Sequence, residues 1–153
     1  ADLRRLHGNA TAVVTLSADG RPLAEARTAK ALAAAETGWT MDGIAAFALH
    51  RRDADPGKGD GFIGYAGIRR AANPLDPGGA DVWELLYGLL PAAWGQGYGT
   101  EAGRAVLADA QDRLGIRTIW AWTLWTNRAS RALMARLGFV QVGGAVYSGL
   151  PHV

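Results

Sequence analysis

Cysteine is absent from the 153 residues, and lysine occurs only at Lys30 and Lys58. Without thiols there is no disulfide, no thiolate metal site and no cysteine-linked covalent intermediate. The three histidines, His7, His50 and His152, are scattered, so neither a metal site nor a histidine-based triad is expected. No apolar run approaches the roughly 20 residues that span a bilayer. No signal peptide is visible, and a cytoplasmic protein without membrane partners is the expectation. The net charge is only +2, and the arginines come in pairs such as Arg4-Arg5, Arg51-Arg52 and Arg69-Arg70. These pairs read as solvated faces, and no nucleic-acid surface is implied.

What is present is a hydrophobic content of 49%, enough for one globular domain over residues 1–153 with a real core. Asp2 to His7 looks like the end of a helix closed by Gly8-Asn9. Residues 10–16 are ambiguous between helix and strand, and Asp19-Gly20 is a turn. Pro22 suits a first helical position, and Leu23 to Thr37 has helical apolar spacing with a glycine stop at Gly38. Trp39 and Met41 fit core packing or a substrate-side lid. Ile44 to Arg51 and Phe62 to Arg70 alternate as strands, joined by a polar hairpin loop in which Gly57-Lys58-Gly59 is a turn. Ile116 to Thr126 reads as a strand with Trp120 and Trp122 on one face. Asn127 is a good N-cap for a helix that stops at Gly138. Phe139 to Val142 starts a final strand, and the tail beyond adds one more. The result is an α/β fold: a mixed sheet with helices following its central strands.

The most informative stretch is V-W-E-L-L-Y-G-L-L-P-A-A-W-G-Q-G-Y-G-T-E-A-G, from Val82 to Gly103. Val82 to Leu90 reads as a buried strand, and Thr100 to Leu114 resumes helical spacing. Between them lie Gly95, Gly97 and Gly99. Glycines allow close backbone approach and φ > 0. The first amides of a helix lack acceptors and sit at the positive end of its dipole, which suits a phosphate. A dinucleotide fingerprint fails because its third glycine would fall at Thr100, and a P-loop fails because the turn has no lysine. A nucleotide-binding domain is therefore disfavoured.

The turn W-G-Q-G-Y-G, Trp94 to Gly99, resembles the acyl-coenzyme A pyrophosphate loop [QR]-x-x-G-x-[GA] of the GNAT acetyltransferase superfamily. Trp94 stands where glutamine or arginine is usual, as in the branch containing the ribosomal-protein N-terminal acetyltransferases. N-R-A-S-R-A-L-M-A-R-L-G-F, Asn127 to Phe139, resembles the second GNAT signature, N-x-x-[SA]-x-x-x-[YMV]-x-[KR]-x-G-F. The resemblance covers about residues 44–142. It implies a GNAT-like fold with splayed central strands, and the family's first strand is expected to be missing ahead of Asp2. It also implies acetyl-CoA (coenzyme A) as cosubstrate with no metal. The pantetheine would pair with backbone at Tyr87, Gly88 and Leu89. The pyrophosphate would meet Gly95, Gln96, Gly97, Tyr98, Gly99 and Thr100. Asn127 would bind the pantetheine, and Ser130 would sit near the sulfur.

Acyl transfer to an amine needs a neutral amine, although an α-amine titrates at about 7.7–8.0 and a lysine at about 10.4. It needs donors for the oxyanion, and the departing thiolate gains from a proton. Glu84, the one acid in an otherwise apolar strand, is a candidate base, directly or through water. The alternative is a strand glutamate paired with a neighbouring arginine. Many members of the family place a tyrosine acid seven residues after the asparagine; here that position is Met134. Ser130 is the replacement suggested by the ribosomal-protein branch, with Tyr87, Tyr98 and Tyr147 in reserve. Trp39, Trp122, Trp125 and Tyr147 are candidate acceptor walls. The expected function is acetyl transfer to a primary amine, on a protein N-terminus or a small molecule, by direct attack in a ternary complex. The alternatives are a non-catalytic acyl-CoA module, or transfer from succinyl-CoA or another acyl-CoA. The oligomeric state stays open, a homodimer included.

Overall fold

The computed structural model describes residues 2–13, 23–54, 61–147 and 149–153. The Asp19-Gly20 turn, the Pro22 helix start, the part of the 10–16 segment beyond Val13 and the Gly57-Lys58-Gly59 turn lie outside the described residues.

Three antiparallel strands form the central sheet in the order β1 (Ala46–His50), β2 (Phe62–Ala71), β3 (Val82–Leu89). Register sets the two faces, because directly paired residues point the same way. Ala46↔Gly67, Ala48↔Tyr65, Gly67↔Leu86 and Arg69↔Glu84 define one face. Ala66↔Tyr87 and Ile68↔Leu85 belong to the other. That second face is covered by α4 (Tyr98–Leu114), whose Val106 and Ala110 close on Ile44, Ala66, Ile68 and Leu85. Ile44 and Ile68 are fully buried, and burial of such a side chain stabilises by about 1.5–3 kcal/mol.

The first face is fronted by α1 (Asp2–His7), the one-turn α2 (Ala10–Val13) and α3 (Glu25–Met41). Asn9 caps α2 by accepting from the amides of Thr11 and Ala12. Leu6 and Ala12 pack on Phe62, with Tyr65 beside them. The helix α3 runs through the expected stop at Gly38 and ends at Asp42 and Gly43, where φ is +67°. Gly38 serves close packing instead: a Cβ there would lie 3.1 Å from both the Ala45 Cβ and the Ile44 carbonyl.

Beyond Gly115 the chain runs beside β3 without building the expected strand. Leu85 donates to the Trp120 carbonyl (2.8 Å) and Trp120 to the Trp83 carbonyl (2.7 Å). The segment then changes partner: Thr123 and Val153 exchange hydrogen bonds at 2.9 Å, and Trp125 donates to Pro151. Neither contact is long enough to make a ladder. Phe139 to Val142 forms no strand either, and Val140 and Val142 are 80% and 70% exposed. The slot beside residues 123–125 is taken by the hairpin β4 (Ala145–Tyr147) and β5 (Leu150–His152). The helix α5 (Arg128–Arg136) forms as expected, with Gly138 at φ +89° just past its end.

His7 joins α1 to α3 through a buried 2.8 Å hydrogen bond between Nδ1 and the Thr28 hydroxyl. Burial, with help from the nearby Arg27 charge, holds its pKa below the ordinary value of 6.5. The folded state therefore resists a proton that the unfolded chain accepts. Stability is predicted to fall as pH drops below about 6.5. Thermal melts at neutral and mildly acidic pH should show that loss, and His7→Asn should flatten the slope between them.

Candidate functional site

Among the described residues, the backbones of β3 and the 116–126 segment pair only at the Glu84↔Trp120 bridge and then diverge. Because Leu85 N–H and Trp83 C=O face Trp120, alternation turns the N–H and C=O of Tyr87 and the N–H of Leu89 toward the same edge. Gly88, opposite Tyr65, turns its own polar groups toward β2. Of the three residues expected to offer backbone to a ligand, Tyr87 and Leu89 face the gap by this argument. The Leu89 carbonyl is already taken by the Trp94 indole N–H at 2.8 Å. Pro91–Ala93 then form a short 3-10 turn that ends pairing.

At the mouth of the gap, α4 begins at Tyr98 with Gly97 as its N-cap in the left-handed region (φ +87°). Gly95 is also left-handed, at φ +70°, and neither position has any atom within 4 Å of where a Cβ would sit. Thr100 and Glu101 donate to the Gly97 carbonyl at 3.0 Å. The amides of Gly95, Gln96, Gly97, Tyr98 and Gly99 have no partner among the described residues. An anion-binding corner at a helix N-terminus has this form. Thr100 departs from expectation, because its amide is spent on capping; its hydroxyl remains.

Gly99 has a different reason to be glycine. A Cβ there would come within 2.5 Å of Leu133 Cδ1, and one at Gly103 within 2.6 Å of Leu137 Cδ1. The two glycines thus form a shallow groove on α4 that seats two leucines of α5. This seating brings the start of α5 to the gap.

There, Asn127 Oδ1 accepts from the Ser130 amide at 3.1 Å as the N-cap, leaving its side-chain N–H groups without a partner among the described residues. Ser130 is buried, and its Oγ lies 2.6 Å from the Tyr87 hydroxyl. Burial pushes the Tyr87 phenol above its ordinary pKa, partly offset by the Ser130 hydrogen bond. Met134 lines the same wall one turn on.

Glu84, only 5% exposed, lies on the opposite face of β3 from Tyr87. Arg69 donates to its Oε2 at 2.6 Å across the strands. Both readings of Glu84 thus meet in one geometry, a buried carboxylate in the crevice that also holds an ion pair. Tyr65 lies beside the pair; burial raises its pKa, with the Arg69 and Glu84 charges acting in opposite senses.

These groups line one open crevice of about 1310 Å³ running from Arg27 and Lys30 on α3, past Tyr65 and Glu84, to the glycine turn. Trp122 is on its wall. Trp39 is not: its ring packs edge-on against Phe47 at 4.7 Å, and its N–H donates to Ala46. Trp125 is 49% exposed beneath the Arg131 guanidinium, away from the crevice. Tyr98 lies in the turn at the start of α4. Tyr147 closes β4, and its side chain is outside the described residues.

The wall also carries residues that the sequence did not single out, among them Tyr65, Arg27, Lys30, Arg136 and His152. Arg136 approaches the Thr100 hydroxyl at 3.5 Å, beside the unpaired amides; its signal was the basic position of the second signature. His152 also lines the crevice, its Nδ1–H donating to the Leu150 carbonyl at 2.9 Å. Nothing in sequence ties the chain's penultimate residue to this wall. Among the described residues no cluster of metal-ligating side chains occurs, and no helix is long and apolar enough to cross a membrane.

The family profile described as "Acetyltransferase (GNAT) domain" matches residues 1–140. A curated relative, the FsC-acetyl coenzyme A-N(2)-transacetylase of Aspergillus fumigatus, is 37% identical over 62 residues, covering 40% of this chain and 26% of that protein. The match thus spans about a quarter of the relative's length. The ribosomal-protein-S5-alanine acetyltransferase from Vibrio fischeri aligns with a TM-score of 0.65 at 17% identity, covering 99% of this chain and 84% of the other. A GNAT superfamily phosphinothricin acetyltransferase from Sinorhizobium meliloti, solved with AcCoA, aligns with a TM-score of 0.64 at 23% identity, covering 99% and 76%. At these identities the structures attest the fold.

The two glycines should separate under mutation. Gly99→Ala is expected to destabilise by about 1–3 kcal/mol through overpacking against Leu133. Gly97→Ala is expected to cost about 1 kcal/mol of left-handed strain and to weaken acetyl-CoA binding. Thermal melts beside calorimetric titration check both.

Proposed function

The chain belongs to the acetyltransferase (GNAT) domain family, and on that premise we propose that it is an N-acetyltransferase moving the acetyl group of acetyl-CoA to a primary amine. The observation that carries this reading is the row of amides from Gly95 to Gly99, unpartnered among the described residues, at the mouth of the β3 gap.

Those amides, with the Thr100 hydroxyl and the Arg136 guanidinium nearby, suit a pyrophosphate. The N–H and C=O groups of Tyr87 and the N–H of Leu89 suit the pantetheine amides and the thioester carbonyl. The free amide N–H groups of Asn127 reach the same arm. When bound, acetyl-CoA supplies the activated acyl carbon; the rest falls to this chain. The amine enters on the Glu84 face, where Oε1 lacks a protein partner among the described residues and takes the ammonium proton, directly or through water. The thiol leaves on the opposite face, where the Tyr87–Ser130 pair lies. The Tyr87 phenol is neutral and hydrogen-bonded to the Ser130 hydroxyl, so the pair can supply a proton to the thiolate. A vacant acid position at Met134 is consistent with this transfer of role. The neutral amine attacks the thioester carbonyl; as the C–N bond forms and the C–S bond breaks, the nitrogen gives its second proton to water and sulfur takes one from the Tyr87–Ser130 pair, which regains it from solvent. No protein-bound acyl group arises.

Within the family, the ribosomal-protein acetyltransferase branch fits the Trp94 and Ser130 signals in this sequence. A non-catalytic acyl-CoA module gains support from one feature, the tie between Glu84 and Arg69.

Thiol release from acetyl-CoA over a panel of amines decides between the two. Ser130→Ala and Tyr87→Phe should each lower kcat by about 10²-fold or more, with acetyl-CoA affinity preserved and little further loss in the double variant. Glu84→Gln should depress kcat as well. Full turnover in Ser130→Ala and Tyr87→Phe would remove the acid role, and binding without turnover on any amine would favour the module.

A further inference from the structure

The amine side of the crevice carries a charge pattern that acetyl transfer itself does not need. Arg27 and Lys30 are spaced i, i+3 on α3, so they share a helix face, and both line the crevice across from Tyr65, Arg69 and Glu84. Arg27 also lies near enough to His7, another wall residue, for its charge to help lower that histidine's pKa. Neither cation forms an ion pair among the described residues. The neighbouring acids are otherwise engaged: Glu25 pairs with Arg4, and Glu84 pairs with Arg69. Among the described residues, only Asp2 remains as an acid without an ion pair on this wall.

We propose that the acceptor is an anionic amine, carrying a carboxylate that Arg27 and Lys30 bind while its amino group is directed toward Glu84. The assignment rests on the acetyltransferase reading and names the substrate class of that same site. The planar guanidinium offers a bidentate fork matched to a carboxylate, and the ammonium adds a point charge beside it. The same cations disfavour the protonated form of a nearby amine. The wall therefore helps to produce the neutral nucleophile as well as to hold the substrate. A polycationic amine meets repulsion here with little acid to offset it. Arg27 and Lys30 are exposed, so the preference should shrink as salt rises toward a Debye length of about 10 Å and below.

The test is thiol release from acetyl-CoA with acceptors matched in size and differing in charge: β-alanine, β-alaninamide and diaminopropane, together with free amino acids and their α-carboxamides. The carboxylates are expected to exceed the matched amides by about tenfold or more in kcat/KM. In the double variant Arg27→Gln, Lys30→Gln that ratio should fall below about threefold, and in Arg27→Glu, Lys30→Glu it should invert toward the diamine. A melting curve confirms that each variant is folded. Amides or the diamine matching the carboxylates in the unaltered protein, or an unchanged ratio in both variants, would overturn the anionic acceptor while leaving acetyl transfer standing. Acetyl-CoA binding with no thiol release on any amine would overturn both.

Discussion

Two hydrogen bonds around Trp120 hold the 116–126 segment to β3, and among the described residues no further backbone bond ties it there. That single attachment is what the candidate site depends on. A longer ladder would consume the N–H and C=O of Tyr87 and close the sheet over the space a ligand needs. No bridge at all would leave the Trp83 and Leu85 polar groups without partners in a largely buried strand, a cost of roughly 1–3 kcal/mol for each unsatisfied group. Divergence is sustained by a competing partner, since Thr123 and Trp125 bond instead to the chain's last residues. The C-terminal hairpin thus contributes to the site by drawing the segment away from β3.

The period of two in β3 then sorts the chemistry. Glu84 and Tyr87 are three residues apart, so they fall on opposite faces of one strand. One face looks toward α3 and its cations, and the other toward the start of α5 and Ser130. In the proposed reaction, removal of a proton on one side of the thioester and delivery on the other would follow from strand geometry rather than from a flexible arrangement. The seating of Leu133 and Leu137 over Gly99 and Gly103 makes this rigid, because it fixes Ser130 relative to the unpaired amides at the head of α4.

Elements whose signals are local could be read from sequence. The strands expected at 44–51, 62–70 and 82–90 form at 46–50, 62–71 and 82–89, the helix expected to Leu114 ends there, and the Asn127 cap and the Gly138 stop lie where the pattern put them. The failures share a cause: each depended on a tertiary contact that lies outside the local pattern. Gly38 looked like a helix stop, but its role is set by contact with Ala45. The 116–126 and 139–142 segments have strand composition and lack strands to pair with over their length. Within the glycine turn, sequence could not separate Gly97, which needs a left-handed backbone, from Gly99, which needs room for a leucine. The tryptophans were legible as aromatic and illegible as to side: Trp122 lines the crevice, while Trp39 and Trp125 are occupied by Phe47 and Arg131. Pairing of Tyr87 with Ser130, residues far apart in the chain, has no local signature at all.

The central claim is that the gap beside β3 and the amides at the head of α4 form one binding surface for acetyl-CoA. Its most direct test is a backbone amide NMR titration with coenzyme A. The account predicts saturable shifts concentrated in Gly95 to Gly99, Tyr87, Leu89 and the Asn127 side chain. Saturable binding that leaves those amides unmoved and shifts residues elsewhere would contradict it.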